Sequence, residues 1–409
     1  MAITKIEVPE LFDFGSDNSA FKLPTGTTAE RPTSPSNGEM RFNTTTGYVE
    51  YYDTTDTQWW EIDYAPILPS DNFNTVLYTG NGSTQAITGT GFEPDLVWIK
   101  ERSSGSSHNI ADVVRGSTNY LSSNLTNAQS NLASTISSFD SNGFSVGNDG
   151  GVNQSAQTYV AWNWKAGGAA VSNPNGTLTS TISANVDAGF SIVKYTGNNS
   201  SSATIGHGLG KMPAMVMTKM SEQSGGASST SQWMIYHKDL TGNVSGDNPY
   251  NLYFSTNAEL DLIAFGAYDN ITTDVIPVTR TSASTAHNNN NLSTYVAYCF
   301  AEIAGYSKIG SYTGTGSATG PIVTTGFEPA WVMIKRTDGT AGAWSMFDNK
   351  RDPSNPVQKV LQAQDSAAES NVGNACNFNS NNFQLTDSNS QRNTNGGTYI
   401  FMAFAADPT

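Results

Sequence analysis

Apolar and polar residues alternate with period two through much of the chain, and the clearest runs recur. Thr158–Trp164 reads Thr-Tyr-Val-Ala-Trp-Asn-Trp, Thr294–Phe300 reads Thr-Tyr-Val-Ala-Tyr-Cys-Phe, and Thr398–Phe404 reads Thr-Tyr-Ile-Phe-Met-Ala-Phe. Side chains on a strand point alternately to its two faces. Val160, Trp162 and Trp164 therefore share one face, as do Val296, Tyr298 and Phe300, and Ile400, Met402 and Phe404. The bulk on that face predicts that Trp162, Tyr298 and Met402 are each buried in the core of their own domain.

Each of these strands closes a longer repeat. Tyr78, Tyr195 and Tyr312 all stand in Tyr-Thr-Gly, and successive tyrosines are 117 residues apart both times. A small-residue turn follows, then Gly91-Phe92-Glu93-Pro94, Gly208-Leu209-Gly210-Lys211-Met212-Pro213 or Gly326-Phe327-Glu328-Pro329. Pro94 to Lys100, Pro213 to Lys219 and Pro329 to Lys335 are each six residues, which predicts a strand of constant length opened by a residue that cannot occupy a central ladder. The middle copy departs most, with Leu209 and Met212 in place of the Phe-Glu pattern. A weaker correspondence places Ile110–Asp112, Trp233–His237 and Trp344–Asp348 each ahead of a basic residue, Arg115, Lys238 or Lys350. Phe139–Phe144 and Phe378–Phe383 read as hairpins around Asn-Gly and Asn-Asn.

Many short strands with close turn signals predict an all-β chain. The expected organisation is a small N-terminal β-meander in residues 1–69, then three tandem, jelly-roll-like β-sandwich domains over 70–170, 186–304 and 305–409. Gly167–Asn185 and Ile303–Ser307 read as the linkers. A propeller is the alternative, but three units of this length are too few and too long for ordinary blades.

Leu23–Ile62 has its own character. Gly38–Asn43, Gly47–Asp53 and Trp59–Ile62 predict a three-stranded meander, too small to stand alone. Tyr48, Tyr51, Tyr52, Trp59 and Trp60 supply more aromatic surface than such a meander covers, so they are the candidate docking or oligomer interface.

Composition removes several classes of function. A formal net charge of −15 opposes a phosphate backbone, so nucleic acid is excluded as the main partner. Cys299 and Cys376 are the only cysteines and lie far apart, which fits two free structural thiols better than a zinc site or a disulfide framework. Met1–Phe21 lacks the basic region and apolar run of a secretory signal, and no later stretch is apolar enough to span a bilayer, so the expectation is a soluble, cytoplasmically made protein.

Two stretches carry a resemblance. Arg31-Pro32, Pro35–Thr44, Glu50–Asp53 and Trp59–Ile62 resemble the short module of tail-fibre and appendage proteins of tailed phages. Gly91–Lys100 and Thr158–Gly168 resemble a domain of unknown function recurring in marine phage virion proteins. Together the two cover nearly the whole chain. They imply a non-enzymatic structural protein of the virion, such as a tail fibre, head fibre or surface knob, assembled in the host cytoplasm and attached to other virion proteins through its N-terminal segment. By analogy with phage fibres they imply a homotrimer first and a dimer second.

No residue pattern contradicts that absence of chemistry. His108, His207, His237 and His287 form no metal-binding pair, and Gly314-Thr315-Gly316-Ser317 is a turn rather than a phosphate loop. Asp140-Ser141-Asn142-Gly143 begins like a calcium loop without its later acidic ligands. No catalytic residue, cofactor or metal is expected. The competing readings are a lectin-like module for host surface glycan, with binding loops at Asn243–Tyr253 or Asn148–Gln157, and a polysaccharide depolymerase. Trp98, Trp162, Trp164, Trp233, Trp331 and Trp344 fall in expected strands, where a core role is the ordinary one.

Overall fold

A computed structural model describes residues 23–62, 67–224, 231–240, 252–254, 270–278, 288–338 and 342–405. His287 and most of Asn243–Tyr253 lie outside the described residues. The chain forms two compact units, Met1–Pro66 and Ile67–Thr409. Both are built of β-strands, as expected.

In the first unit, β1 (Thr25–Gly26), β2 (Met40–Asn43), β3 (Tyr48–Asp53) and β4 (Gln58–Ile62) form one sheet in the order 1-2-3-4. The three-stranded meander is present, and β1 adds a parallel edge to β2 that the pattern did not suggest. One face of this sheet is organised by charge. Glu50 is fully buried, bonded by the Arg31 guanidinium at 2.5 Å and by Asn43 Nδ2 at 3.0 Å, with Arg41 Nε 3.4 Å away. Arg31 and Arg41 hold its carboxyl below the usual carboxylate range against the opposing effect of burial.

The second unit opens with copy 1: β5 (Phe73–Thr79), β6 (Gln85–Thr88), β7 (Leu96–Glu101), β8 (Asn109–Asp112), β9 (Asn119–Leu121), β10 (Ser130–Asn131), β11 (Ile136–Asp140), β12 (Gly143–Val146), the short α1 (Gly150–Asn153) and β13 (Thr158–Trp164). Copy 2 holds β14 (Val171–Asn173), β15 (Ser180–Asn185), β16 (Phe190–Thr196), β17 (Ala203–Gly206), β18 (Met215–Glu222), β19 (Met234–His237), β20 (Leu252–Tyr253), β21 (Val275–Val278) and β22 (Thr294–Phe300). Copy 3 holds β23 (Ser307–Thr313), β24 (Ile322–Thr324), β25 (Pro329–Arg336), β26 (Trp344–Asp348), β27 (Val357–Gln362), β28 (Ser370–Asn379), β29 (Asn382–Leu385) and β30 (Thr398–Ala405).

The copies share one topology. Their main sheets contain the series β9-β8-β7-β13-β5, β20-β19-β18-β22-β16 and β27-β26-β25-β30-β23, strand for strand. Separate small sheets pair β6 with β12 in copy 1 and β17 with β21 in copy 2, whereas the matching pair of copy 3, β24 with β29, is joined to its main series through β27 and β28 in one eight-stranded sheet. The expected hairpins close Phe139 on Phe144 and Phe378 on Phe383. Tyr78, Tyr195 and Tyr312 lie opposite Tyr159, Tyr295 and Tyr399, with the rings stacked at 5.0, 5.2 and 5.0 Å. The middle copy keeps the turn despite its different letters: Gly91, Gly208 and Gly326 all have positive φ, and Phe92, Leu209 and Phe327 are all buried after them.

Two expectations need correction. The stretch Gly167–Asn185 is not a linker: β14 and β15 extend the main sheet of copy 2 beyond β16, and Ile182 enters the core between that sheet and its small partner. Nor do the three sandwiches keep separate cores. In each closing strand both faces are buried. The smaller set, such as Tyr159 and Ala161, Tyr295 and Ala297, or Phe401 and Ala403, packs within its own copy. The larger set, Val160, Trp162 and Trp164 with its counterparts, joins one central core fed by all three copies. Period two sorted the residues into the right sets. It could not say which set faces the small sheet and which faces the other copies, because both are apolar.

Candidate functional site

The five aromatic residues expected to form one interface divide between the two faces of the N-terminal sheet. Directly paired residues of antiparallel strands share a face, so Tyr51 and Trp60 lie together, joined by Met40, Phe42 and Val49. Met40 and Trp60 are each 42% exposed. Tyr52 and Trp59 pair on the Glu50 face, ring to ring at 5.5 Å, with the Arg41 guanidinium 6.0 Å from the Trp59 centroid. Tyr48 lies on that second face, directly opposite Asn43, and is exposed. The apolar candidate surface is therefore Met40, Phe42, Tyr51 and Trp60, while Tyr52 and Trp59 serve the polar core.

In the three-copy unit the chemically capable side chains hold the copies together, in rings that run from copy 1 to 3, 2 to 1 and 3 to 2. His108, Trp233 and Trp344 occupy one equivalent position, just ahead of β8 and β19 and at the first residue of β26. The Trp233 indole donates to Ser122 O and the Trp344 indole to Tyr253 O, both at 2.9 Å. His108 Nε2 lies 3.0 Å from Gln362 O and 3.1 Å from Asp365 O, and its Nδ1 accepts from Trp98 Nε1 at 2.8 Å. Carbonyls only accept, so Nε2 carries the proton and the ring is neutral. Burial, reinforced by the nearby Lys100 charge, lowers its pKa to about 3.

A second ring lies at the other end of the same strands. Trp162 Nε1 donates to Asp348 Oδ2 at 3.1 Å, Tyr298 Oη donates to Asp112 Oδ2 at 2.7 Å, and His237 Nε2 lies 3.3 Å from Phe401 O. Asp112 and Asp348 are each completed by an arginine three residues later. Arg115 Nε donates to Asp112 at 2.6 Å and Arg351 Nε to Asp348 at 2.5 Å, all four side chains being fully buried. The basic residue that matters in copy 3 is thus Arg351, not the expected Lys350. Copy 2 has no such pair, because His237 and Leu240 occupy those positions.

Other singled-out residues are equally occupied. Lys100, Lys219 and Lys335 are buried, and their amines donate to backbone carbonyls: Glu101 at 2.7 Å for Lys100, Thr126 at 2.7 Å together with Ser231 for Lys219, and Gly342 for Lys335. Burial lowers Lys100 to about 8 and Lys219 to about 7. Asp140 accepts from Ser138 Oγ at 2.8 Å and Ser145 Oγ at 2.7 Å, a turn arrangement. Cys299 and Cys376 are buried free thiols. His207 accepts from the backbone N–H of Leu209. Among the described residues no cluster of three or more His, Cys, Asp or Glu side chains is placed to hold a metal ion.

One recurring residue escaped the sequence reading. Asn153, Asn289 and Asn393 each stand six residues before the stacked tyrosine of the closing strand and are fully buried. Their Oδ1 atoms accept from the backbone N–H groups of Asn81, Asn198 and Thr315, and their Nδ2 groups donate back into the first turn of the copy, to Ser83 O, Ser200 O and Gly320 O. The fixed offset from Tyr159, Tyr295 and Tyr399 was the available signal.

A family model described as a domain of unknown function, DUF7483, matches residues 68–408, and the chain belongs to that family. The matched span coincides with the three-copy unit, so the family's domain is the fused triplet rather than one repeat. No curated protein matches the chain.

Proposed function

We propose that the chain is a non-enzymatic structural protein of a tailed-phage virion, a knob or fibre component whose three-copy unit is displayed and whose N-terminal sheet attaches it. The observation that carries this reading is the pair of cyclic contact rings. In those rings histidine, aspartate, arginine and tryptophan side chains lock one copy to the next, which is the work of a scaffold. The resemblance of Arg31–Ile62 to the appendage module supports a virion location. The half-exposed Met40, Phe42, Tyr51 and Trp60 supply the contact through which chains meet, as a trimer, and dock on other virion proteins. Mass spectrometry and immunogold labelling of particles purified from a lysate of the source test the proposal. Stoichiometric protein and label on the particle are expected; protein found only in the unassembled fraction would overturn it.

A further inference from the structure

We propose that copy 1 carries a binding cleft for a neutral saccharide, formed between β8–β10 and the turn into α1. The cleft has a volume of about 310 Å³ and is lined among others by Ser106, Ser107, Asn109, Tyr120, Asn127 and Asp149. That volume lies at the low end of the roughly 300–1,000 Å³ typical of small-molecule sites, which suits one or two sugar rings.

Asn109 marks the cleft as more than a surface dent. It is 4% exposed, and its Oδ1 finds no hydrogen-bond partner among the described residues. Its Nδ2 reaches only Ser107 O and Gly151 O, both at 3.5 Å, which is the limit of a hydrogen bond. The amide is held weakly enough to turn into the cleft. The repeat shows that this position has an apolar solution: Asn109 opposes Ile99 as Met234 opposes Thr218, and Met234 packs in the small core of copy 2. Other buried polar atoms also lack a partner, Ser345 Oγ at the equivalent position of copy 3 among them, but of these Asn109 is the one that lines the cleft, where a ligand could satisfy it. Gly151 completes the floor. A Cβ there would lie 3.0 Å from Asp149 Oδ1 and 3.1 Å from Asn109 Nδ2, so the missing side chain is what keeps the space open.

The lining selects the ligand class. No lysine, arginine or histidine lines the cleft, so phosphate, sulfate and carboxylate groups lack a counter-charge. Serine hydroxyls and asparagine amides both donate and accept, Asp149 accepts, and this mixture matches vicinal sugar hydroxyls. Tyr120 and Leu125 add a flat apolar edge of the kind that packs on the C–H face of a pyranose. The inference needs no virion location and is tested on the purified chain.

The full-length protein is screened on an array of neutral, sulfated and sialylated oligosaccharides, and the best neutral member is titrated calorimetrically into wild type, Tyr120→Ala and Asn127→Ala. Retention of neutral members is expected, with each substitution raising the dissociation constant at least about tenfold at an unchanged melting temperature. Asn109→Met, which installs the residue of copy 2, should abolish binding while raising the melting temperature. The proposal is overturned if no neutral member is retained, if only charged members are, or if Tyr120→Ala and Asn127→Ala bind as wild type does.

Discussion

Trp162 and Asp348 lie 186 residues apart and are joined across two copies, the indole Nε1 donating to Oδ2 at 3.1 Å. The Arg351 guanidinium pairs with the same carboxylate and sits 5.6 Å from the centroid of the Trp162 ring. Removing the indole therefore opens a cavity in the shared core and takes a donor from a buried ion pair. Trp162→Ala should cost about 3–5 kcal/mol. Because the core is common, the loss should appear equally in copies 2 and 3, read as a lowered denaturant midpoint for probes placed in each. A loss confined to copy 1 would contradict the shared core.

The second ring solves one problem in different ways, which makes it a test of the repeat. Arg115→Met leaves Asp112 buried without its partner and should destabilise by about 3–5 kcal/mol. Adding Asp112→His and changing residue 115 to Leu instead reproduces His237 and Leu240 of copy 2, and Tyr298→Met reproduces Met402 at the facing position. That combination should recover at least about half of the loss, as neighbouring sites do when a coupled set is replaced together. Urea melts of the single and combined variants decide it.

The buried histidines and lysines give the protein a definite pH profile. His108 and His237 have pKa values lowered chiefly by burial to about 3 and about 4, below the ordinary 6.5. As pH falls through 6.5 the unfolded chain takes up protons that the folded one refuses, so stability present at neutral pH is lost toward pH 4. Lys219, lowered to about 7, acts in a higher window: between about 7 and 10.5 the unfolded chain holds a proton that the folded one does not, so its contribution improves as pH rises. Chemical melts should show His108→Gln flattening the acid limb and Lys219→Met flattening the alkaline rise.

The boundary between the units refines how the attachment segment is removed. Pro69 is buried and Ile67 packs against the central core, so a cut after Pro66 spares the fold where a cut after Pro69 would damage it. Residues 67–409 should remain folded and lose self-association. Light scattering reads the result: an oligomer mass matching that of the full chain would place the interface elsewhere.

Much of this was legible in the sequence. The Tyr-Thr-Gly spacing, the Pro-to-Lys spacing and the two-sided sorting of Val160 to Trp164 located the strands but not their pairing, and only β25 opens at its proline, β7 and β18 starting two residues after Pro94 and Pro213. What could not be read was which face of a doubly apolar strand meets another copy, since Trp162 and Tyr159 are both large and both buried. Nor could period two reveal that Asn153, Asn289 and Asn393 brace each copy through backbone groups over 70 residues away in sequence, because backbone partners leave no trace in composition. The N-terminal aromatics could be singled out from the sequence, but only the pairing register divides Tyr51 and Trp60 from Tyr52 and Trp59.

Differential scanning calorimetry of residues 67–409 tests the shared core most directly. One core fed by three copies predicts a single transition whose calorimetric and van't Hoff enthalpies agree. Three transitions, or a calorimetric enthalpy about three times the van't Hoff value, would mean that each sandwich folds on a core of its own.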